Sequence, residues 1–138
     1  MSNLTRFNNQ VDSLIGVLKN IESIKNDSAI QLFELKLNAA RKANVKIPIE
    51  NFIKNVYQYK DHIMQKDEEF FLGNIDQRVK EIEVEEQDNE KVLHQALNIK
   101  DHWKNDLTDE NKEVIWKYFQ VLIKLAERYI TEKVGLTS

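Results

Sequence analysis

The sequence predicts an all-α, single-domain protein: an irregular bundle of five or six helices with a long C-terminal helix as its central element. Apolar residues recur at alternating spacings of three and four along most of the chain, which is the period of a helix face. Only three glycines and one proline occur in 138 residues, too few for the tight turns of a β-sandwich or barrel. A chain of this length is typical of one domain and folds without a metal or a disulfide.

The first helix is predicted over residues 3–25. One apolar stripe runs through nearly three heptads and consists of Leu4, Phe7, Val11, Leu14, Leu18 and Ile21. Such a seam packs either into the core of a bundle or against a second copy of the chain, as in a coiled coil. The core interpretation is favoured because three heptads are at the lower limit for a coiled coil, and self-association through the Leu4–Ile21 seam stays as the alternative.

The second helix is predicted over residues 29–43. Ser28 and Gln31 fit a capping box, which satisfies free amides at a helix start. The apolar stripe expected to face the core consists of Ile30, Phe33, Leu37 and Ala40.

A third helix begins at Pro48, because the fixed φ of proline suits the first helical turn. Its apolar face is expected to continue toward Met64 from Phe52, Ile53, Val56 and Tyr57. The string "FFLGN" ends this run, and we expect Gly73 or Asn74 to take the left-handed cap conformation.

The acidic stretch 75–90 predicts a short helix to about residue 85 and a charged loop after it, with a flexible segment expected at 83–90. A helix of roughly 89–105 follows, marked by Val92, Leu93, Ala96, Leu97 and Trp103. The last helix is predicted over about 109–133, with Thr108 as its cap and Gly135 as its end. One wide face of this helix is filled by Ile115, Tyr118, Phe119, Leu122, Leu125, Ala126 and Tyr129, so we expect it to contact several other helices.

Charge is distributed unevenly around a net value of −3. Residues 34–66 carry seven basic and three acidic side chains, and residues 67–90 carry two basic and ten acidic ones. The basic stretch supports a second hypothesis, a small nucleic-acid-associated protein that contacts phosphates through Lys36, Arg41, Lys42, Lys46, Lys54 and Lys60. The neighbouring acidic stretch would repel a polyanion, so this hypothesis ranks below protein–protein interaction.

No motif of metal-dependent, nucleophilic or phosphate-binding chemistry occurs. The chain has no cysteine, its three histidines lack ligand spacing, and its glycines stand singly. The sequence therefore predicts no catalytic residue, no metal ligand and no cofactor, and the protein is not expected to be an enzyme. An enzyme with an unrecognised site is the least favoured alternative, and it would need a deep polar pocket that converges on His62 or His102.

No apolar run is long enough to span a bilayer, and "MSNLTRFNNQ" lacks the hydrophobic region of a signal peptide. We therefore expect a soluble intracellular protein that is not secreted and has no membrane partner.

Two segments carry a resemblance to known proteins. They are "FIKNVYQYKDHIMQKDEEFFL", residues 52–72, and "LTDENKEVIWKYFQVLIKLAERY", residues 107–129. Together they resemble small helical proteins encoded by nucleocytoplasmic large DNA viruses of the mimivirus and phycodnavirus type, although Gln58 stands where that pattern has proline. The resemblance implies a location in the host cytoplasm, a viral factory or the virion, and it carries over no catalytic residue.

The leading functional prediction is a non-catalytic viral protein that binds a viral or host protein, or itself, through a helical surface. Aromatic side chains dominate the energetics of such surfaces, so the candidate contact residues are Tyr57, Tyr59, Phe70, Phe71, Trp103 and Trp116. If residues 55–72 pack against Trp116, Phe70 to Leu72 should point inward. The charged neighbours should then stay in solvent, namely Lys60, Asp61, Lys66, Asp67 and Glu68.

Overall fold

The computed structural model describes residues 1–22, 25, 28–73 and 101–137. Within these ranges the chain is helical and has no strand, which confirms the all-α prediction. In chain order the elements are α1 (Asn3–Asn20), α2 (Ser28–Ala43), α3 (Ile47–Asn55), a 3₁₀ turn (Tyr57–Tyr59), α4 (Lys60–Met64), a helical segment over 68–73, a π-helical turn (His102–Asp106) and α5 (Asp109–Thr137). The predictions for 75–90, for its acidic part 83–90 and for most of 89–105 lie outside the described residues.

The long C-terminal helix α5 is the central element, as predicted. Its 29 residues make a rod of about 43 Å. It continues through Gly135, which was expected to end it, because the Gly135 backbone does not enter the left-handed region. At its start Thr108 and Asn111 form a reciprocal cap, in which each side-chain oxygen accepts the other residue's N–H, at 3.1 and 3.3 Å. Neither α5 nor any other described helix is long and apolar enough to cross a membrane.

The seam of α1 is internal, which confirms the core interpretation. α1 packs along α5, and the shared core consists of Phe7, Val11, Leu14, Ile15, Leu37, Ile49, Leu122, Leu125 and Tyr129. Leu4 and Leu18 are partly buried against the same core, and the Phe7 ring meets Phe52 edge-on at 5.2 Å. The self-association alternative for the Leu4–Ile21 seam is therefore wrong, because this surface is already covered.

The first helix is shorter than predicted. α1 ends at Asn20 and not at residue 25, because the backbone of Ile21 is extended, with φ −79° and ψ 117°. The Ile21 N–H bonds to the Leu18 carbonyl at 3.3 Å, and its side chain is buried. The chain thus leaves the helix at a core residue.

The rotation of α2 differs from the one its apolar stripe predicted, since Phe33 is 54% exposed and only Leu37 of that stripe is buried. Two ion pairs join α2 to α1, Glu34 with Lys19 at 2.5 Å and Arg41 with Asp12 at 2.8 Å. Glu34, Leu37 and Arg41 share one face of α2 at helical spacing. Turning this face toward α1 moves Phe33 into solvent.

The helix predicted to run from Pro48 toward Met64 is divided. Pro48 lies in the first turn of α3, as predicted, but α3 ends at Asn55 and α4 begins at Lys60. The 3₁₀ turn between them is closed by a bond from the Tyr59 N–H to the Val56 carbonyl at 2.9 Å. This turn forms with Gln58 in place of the proline of the viral pattern.

The core predicts a strong dependence on Phe7, whose side chain is only 1% exposed. We expect Phe7→Ala to lower the free energy of unfolding by about 3–5 kcal/mol, because it removes buried apolar surface and leaves a cavity. Urea denaturation followed by circular dichroism measures the change. Val134→Ala is the control on an exposed site and should stay within about 0.5 kcal/mol of the parent. Equal effects of the two substitutions would contradict this core.

Candidate functional site

Five of the six aromatic candidates lie together in one group. They come from residues 59–72, from the π-helical turn and from α5. Successive ring centroids are 5.5 Å apart for Tyr59 and Phe70, 5.3 Å for Phe70 and Phe71, 5.8 Å for Phe71 and Trp116, and 5.5 Å for Trp116 and Trp103. We call these five residues the aromatic cluster. All five are half-buried. The cluster joins the two segments that carry the viral resemblance, together with one residue from the π-helical turn.

The remaining candidate, Tyr57, has no ring contact with the cluster among the described residues. Its partner is Lys60, whose ammonium nitrogen lies 5.3 Å from the centre of the Tyr57 ring. This arrangement is a cation–π contact at the surface, because the Lys60 side chain is exposed.

A left-handed residue at the end of α4 turns the chain toward the cluster. Lys66 has a φ of 56°, and its N–H bonds to the Ile63 carbonyl at 3.1 Å. The Asp67 N–H bonds to the His62 carbonyl at 2.9 Å. These two bonds form a Schellman motif, which usually has glycine at the left-handed position. The expectation of a left-handed Gly73 is wrong, since Gly73 is helical with a negative φ, and Asn74 lies outside the described residues.

Asp67 begins the helical segment that carries Phe70 and Phe71. One carboxylate oxygen accepts the Phe70 N–H at 3.2 Å, as in an N-cap, and the other lies 2.9 Å from the His62 Nδ1. The His62 ring stacks on the Phe70 ring with centroids 3.6 Å apart and planes 2° from parallel. The hydrogen bond from His62, followed by the one from the Phe70 N–H, lowers the pKa of Asp67 below its ordinary value.

Glu68 fixes the position of Trp103. Its Oε1 accepts the Trp103 indole N–H at 2.5 Å and lies 3.4 Å from the Lys112 ammonium nitrogen. Lys112 also lies over the Trp103 ring, 5.6 Å from its centroid. Asp67 and Glu68 make these contacts while remaining partly in solvent, and Lys60, Asp61 and Lys66 are exposed as predicted.

The cluster borders a partly open cavity of about 290 Å³. Its walls come from the end of α3, from α4, from segment 68–73, from the π-helical turn and from α5, and consist of Val56, Ile63, Glu68, Phe71, Leu72, Trp103, Ile115, Trp116 and Phe119. Every lining residue except Glu68 is apolar. We call this cavity the apolar pocket. Gln120 closes the adjoining surface by donating to the carbonyls of Ile63 and Met64 at 3.4 and 3.3 Å.

A second cleft of similar volume lies between α3 and α5, lined by Glu50, Ile53, Lys54, Tyr129, Ile130, Lys133 and Val134. The Lys133 ammonium nitrogen lies 3.5 Å from a Glu50 oxygen and 4.9 Å from the centre of the Tyr129 ring. The Tyr129 side chain, and after it Glu50, raise the pKa of Lys133 above its ordinary value. The ion pair of Lys133 with Glu50 therefore lies at the edge of this cleft.

The six basic candidates are distributed over three helices and their connections. Arg41 is drawn toward α1 by Asp12 and is 20% exposed, whereas the other five side chains are exposed. Lys36 and Lys42 lie on the outside of α2, Lys54 lines the second cleft, and Lys60 covers Tyr57. Arg41 is the one arginine of this basic stretch, and its ion pair with Asp12 makes it less available for contacts with phosphate.

Sequence analysis did not identify several residues that build the apolar pocket. They are Lys112 and Gln120, which hold its edges, and Ile63, which lines it together with Leu72, a residue that was predicted to point inward. The spacing of Lys112, Ile115, Trp116 and Phe119 places them on one side of α5, which a helical projection of the sequence displays. His62, named as a focus for an enzyme site, is instead engaged by Asp67 and Phe70. The side chain of His102, the other residue named for such a site, lies outside the described part of the chain, as does His94. In the part of the chain that the structure describes, no group of three histidines or carboxylates is placed to hold a metal.

The backbone at Lys66 generates a first prediction for the site. Lys66→Gly should be more stable than Lys66→Ala by about 1 kcal/mol, because glycine adopts a positive φ without steric cost. Both variants lose the ion pair of Lys66 with Glu113, so their difference isolates the backbone term. Thermal and urea unfolding of the two proteins measure it. Equal stabilities would mean that the left-handed turn is absent in solution.

The capping carboxylate generates a second prediction, on pH dependence. Because the pKa of Asp67 is lowered in the folded protein, its contribution to stability is present above the ordinary aspartate pKa and is lost as pH falls through the folded value. Asp67→Asn keeps a capping oxygen and removes the charge. We expect the parent to exceed this variant in unfolding free energy at neutral pH and the gap to close at pH values below the ordinary aspartate pKa. A gap that stays constant from neutral pH to pH ~2 would contradict the pairing with His62.

Comparisons with known proteins do not identify this chain. No family model, no curated protein and no solved structure matches it. The viral resemblance of the two segments therefore stays a prediction.

Proposed function

We propose that this is a non-catalytic protein-interaction protein whose apolar pocket receives an apolar side chain of a partner protein. The single observation that carries the proposal is a partly open cavity walled by Phe71, Trp103, Trp116 and Phe119. Tryptophan and other aromatic residues around a desolvated pocket are the usual composition of an interaction hot spot. The pocket offers an anchor site, and its apolar walls favour the burial of an apolar side chain.

The size of the pocket supports a side chain as its occupant. A volume of about 290 Å³ lies at the lower limit of the range of roughly 300–1,000 Å³ that is typical of ligand and cofactor sites. One large apolar side chain, or two small ones, fits such a space. Its burial would contribute about 1.5–3 kcal/mol, which is the value of a single hot-spot residue.

The walls are held in place before a partner binds. Glu68 fixes the Trp103 indole N–H, and Asp67 fixes the turn that presents Phe71. Binding to a preorganised surface avoids the entropy cost of ordering its side chains. Asp67 and Glu68 of "KDEEFF" thus support the proposed binding surface.

The viral origin is part of the proposal, since both segments with the viral resemblance line this one pocket. Residues 52–72 supply Val56, Ile63, Glu68, Phe71 and Leu72, and residues 107–129 supply Ile115, Trp116 and Phe119. A pocket built from the two segments that resemble the viral proteins supports a partner-binding role in common with those proteins. The proposed setting is the cytoplasm, viral factory or virion of an infected host cell.

The pocket predicts a direct binding test, since Trp103 and Trp116 are the only tryptophans of the chain. We expect N-acetyl-phenylalaninamide to shift both indole N–H resonances in a ¹⁵N correlation spectrum, because it places an aromatic side chain against both rings. N-acetyl-asparaginamide should leave them unchanged. Leu72→Trp should abolish the response by filling the pocket, whereas Val114→Trp, on a more exposed part of α5 outside the pocket lining, should not.

The biological test uses the same pair of variants as baits in infected host cells. A partner that is captured by the parent and by Val114→Trp, and lost with Leu72→Trp, supports the proposal. Equal responses to the two amides, or capture that is indifferent to Leu72→Trp, would reject the pocket as the binding site.

A further inference from the structure

The outer face of α2, which points away from the core, exposes an apolar stripe. Leu32 is 36% exposed and Leu35 is 67% exposed. Ala39 and Ala43 extend the line toward the end of the helix and are also exposed. Spacings of three, four and four place Leu32, Leu35, Ala39 and Ala43 within a narrow sector of one helix face.

The exposure of this stripe follows from how α2 is anchored. The ion pairs from Glu34 to Lys19 and from Arg41 to Asp12 face α1, and Leu37 is buried between them. The stripe lies on the opposite side of the helix. Rotating α2 to bury the leucines would break both ion pairs and expose Leu37.

Positive charges flank the stripe. At 100° per residue, Lys36 lies about 40° to one side of Leu32 and Lys42 lies about 20° beyond Leu35 on the other side. Both lysines are exposed, and neither pairs with a carboxylate among the described residues. The helix's other charged residues, Glu34 and Arg41, are engaged by α1. The outer face is therefore apolar along its centre and cationic at both edges.

We propose that this face docks an acidic amphipathic helix of a partner protein. Apolar residues of that helix, spaced three and four apart, would cover Leu32 and Leu35, and carboxylates beside them would approach Lys36 and Lys42. A second copy of α2 fits less well, because it would bring its own lysines to the same edges. This surface lies apart from the residues that line the apolar pocket, so it is a second contact and does not depend on the proposed function.

The test uses two labelled synthetic helices that differ only in charge. Both have leucine at the stripe positions, and the flanking positions are glutamate in one peptide and lysine in the other. Fluorescence anisotropy should show binding of the glutamate peptide alone. Leu35→Asp should weaken it at least about tenfold, since that is the loss expected on removal of one hot-spot residue. Lys36→Glu combined with Lys42→Glu should transfer the preference to the lysine peptide.

Val121→Asp combined with Lys124→Glu is the matched control, because it makes the same kinds of change on an exposed part of α5 and should leave binding unchanged. Unaltered thermal unfolding of each variant shows that α2 is intact. The proposal is overturned if neither peptide binds, if both bind equally, or if Leu35→Asp has no effect. It is also overturned if a single-stranded oligonucleotide binds this face more tightly, or if sedimentation shows a dimer that Leu35→Asp dissociates.

Discussion

Covering the apolar sector of α5 is the constraint on which the rest of this structure depends. The sector runs from Ile115 to Tyr129 and is too wide for one neighbouring helix to cover. Its C-terminal part, with Leu122, Leu125 and Tyr129, is covered by the long regular helix α1 together with residues of α2 and α3. Its N-terminal part is covered by α4, segment 68–73 and the π-helical turn, which are short and change direction often.

That difference in how the two parts of α5 are packed explains where the apolar pocket lies. Two long helices interdigitate along their length and leave few voids. Short elements joined by tight turns meet α5 at several angles, so their side chains close around Trp116 without filling the space beside it. The pocket thus arises where irregular backbone meets the central helix, and polar bonds at its edge hold the opening in one shape.

Some features of the fold and of the site could be predicted from the sequence, and others could not. The helices of the α1, α2 and α5 regions follow from three-and-four spacing, and Pro48 and Thr108 mark helix starts through local chemistry. The turn at Lys66 has no such signal, because lysine is an unusual residue at a left-handed position and three bonds within residues 61–67 impose it. Phe33 was misplaced because apolar periodicity ignores the pull of Glu34 and Arg41 toward α1. The pocket could not be predicted, since a void depends on how several chain segments meet in space.

The string "YKDHIMQKDEEFF" has the composition of reactive chemistry, with a histidine, carboxylates and lysines close together. In the fold His62, Asp67 and Glu68 are held by other side chains and by the backbone, whereas Lys60 and Asp61 stay exposed. His62 stacks on Phe70 and reaches Asp67, which caps the turn, while Glu68 holds Trp103 against α5. Each of these hydrogen bonds involves a partly exposed group and is weak by itself, so several together orient the rings of the aromatic cluster. Because the ionic side chains orient the rings, the rings can stay at the edge of the bundle, partly in contact with water and open to another molecule.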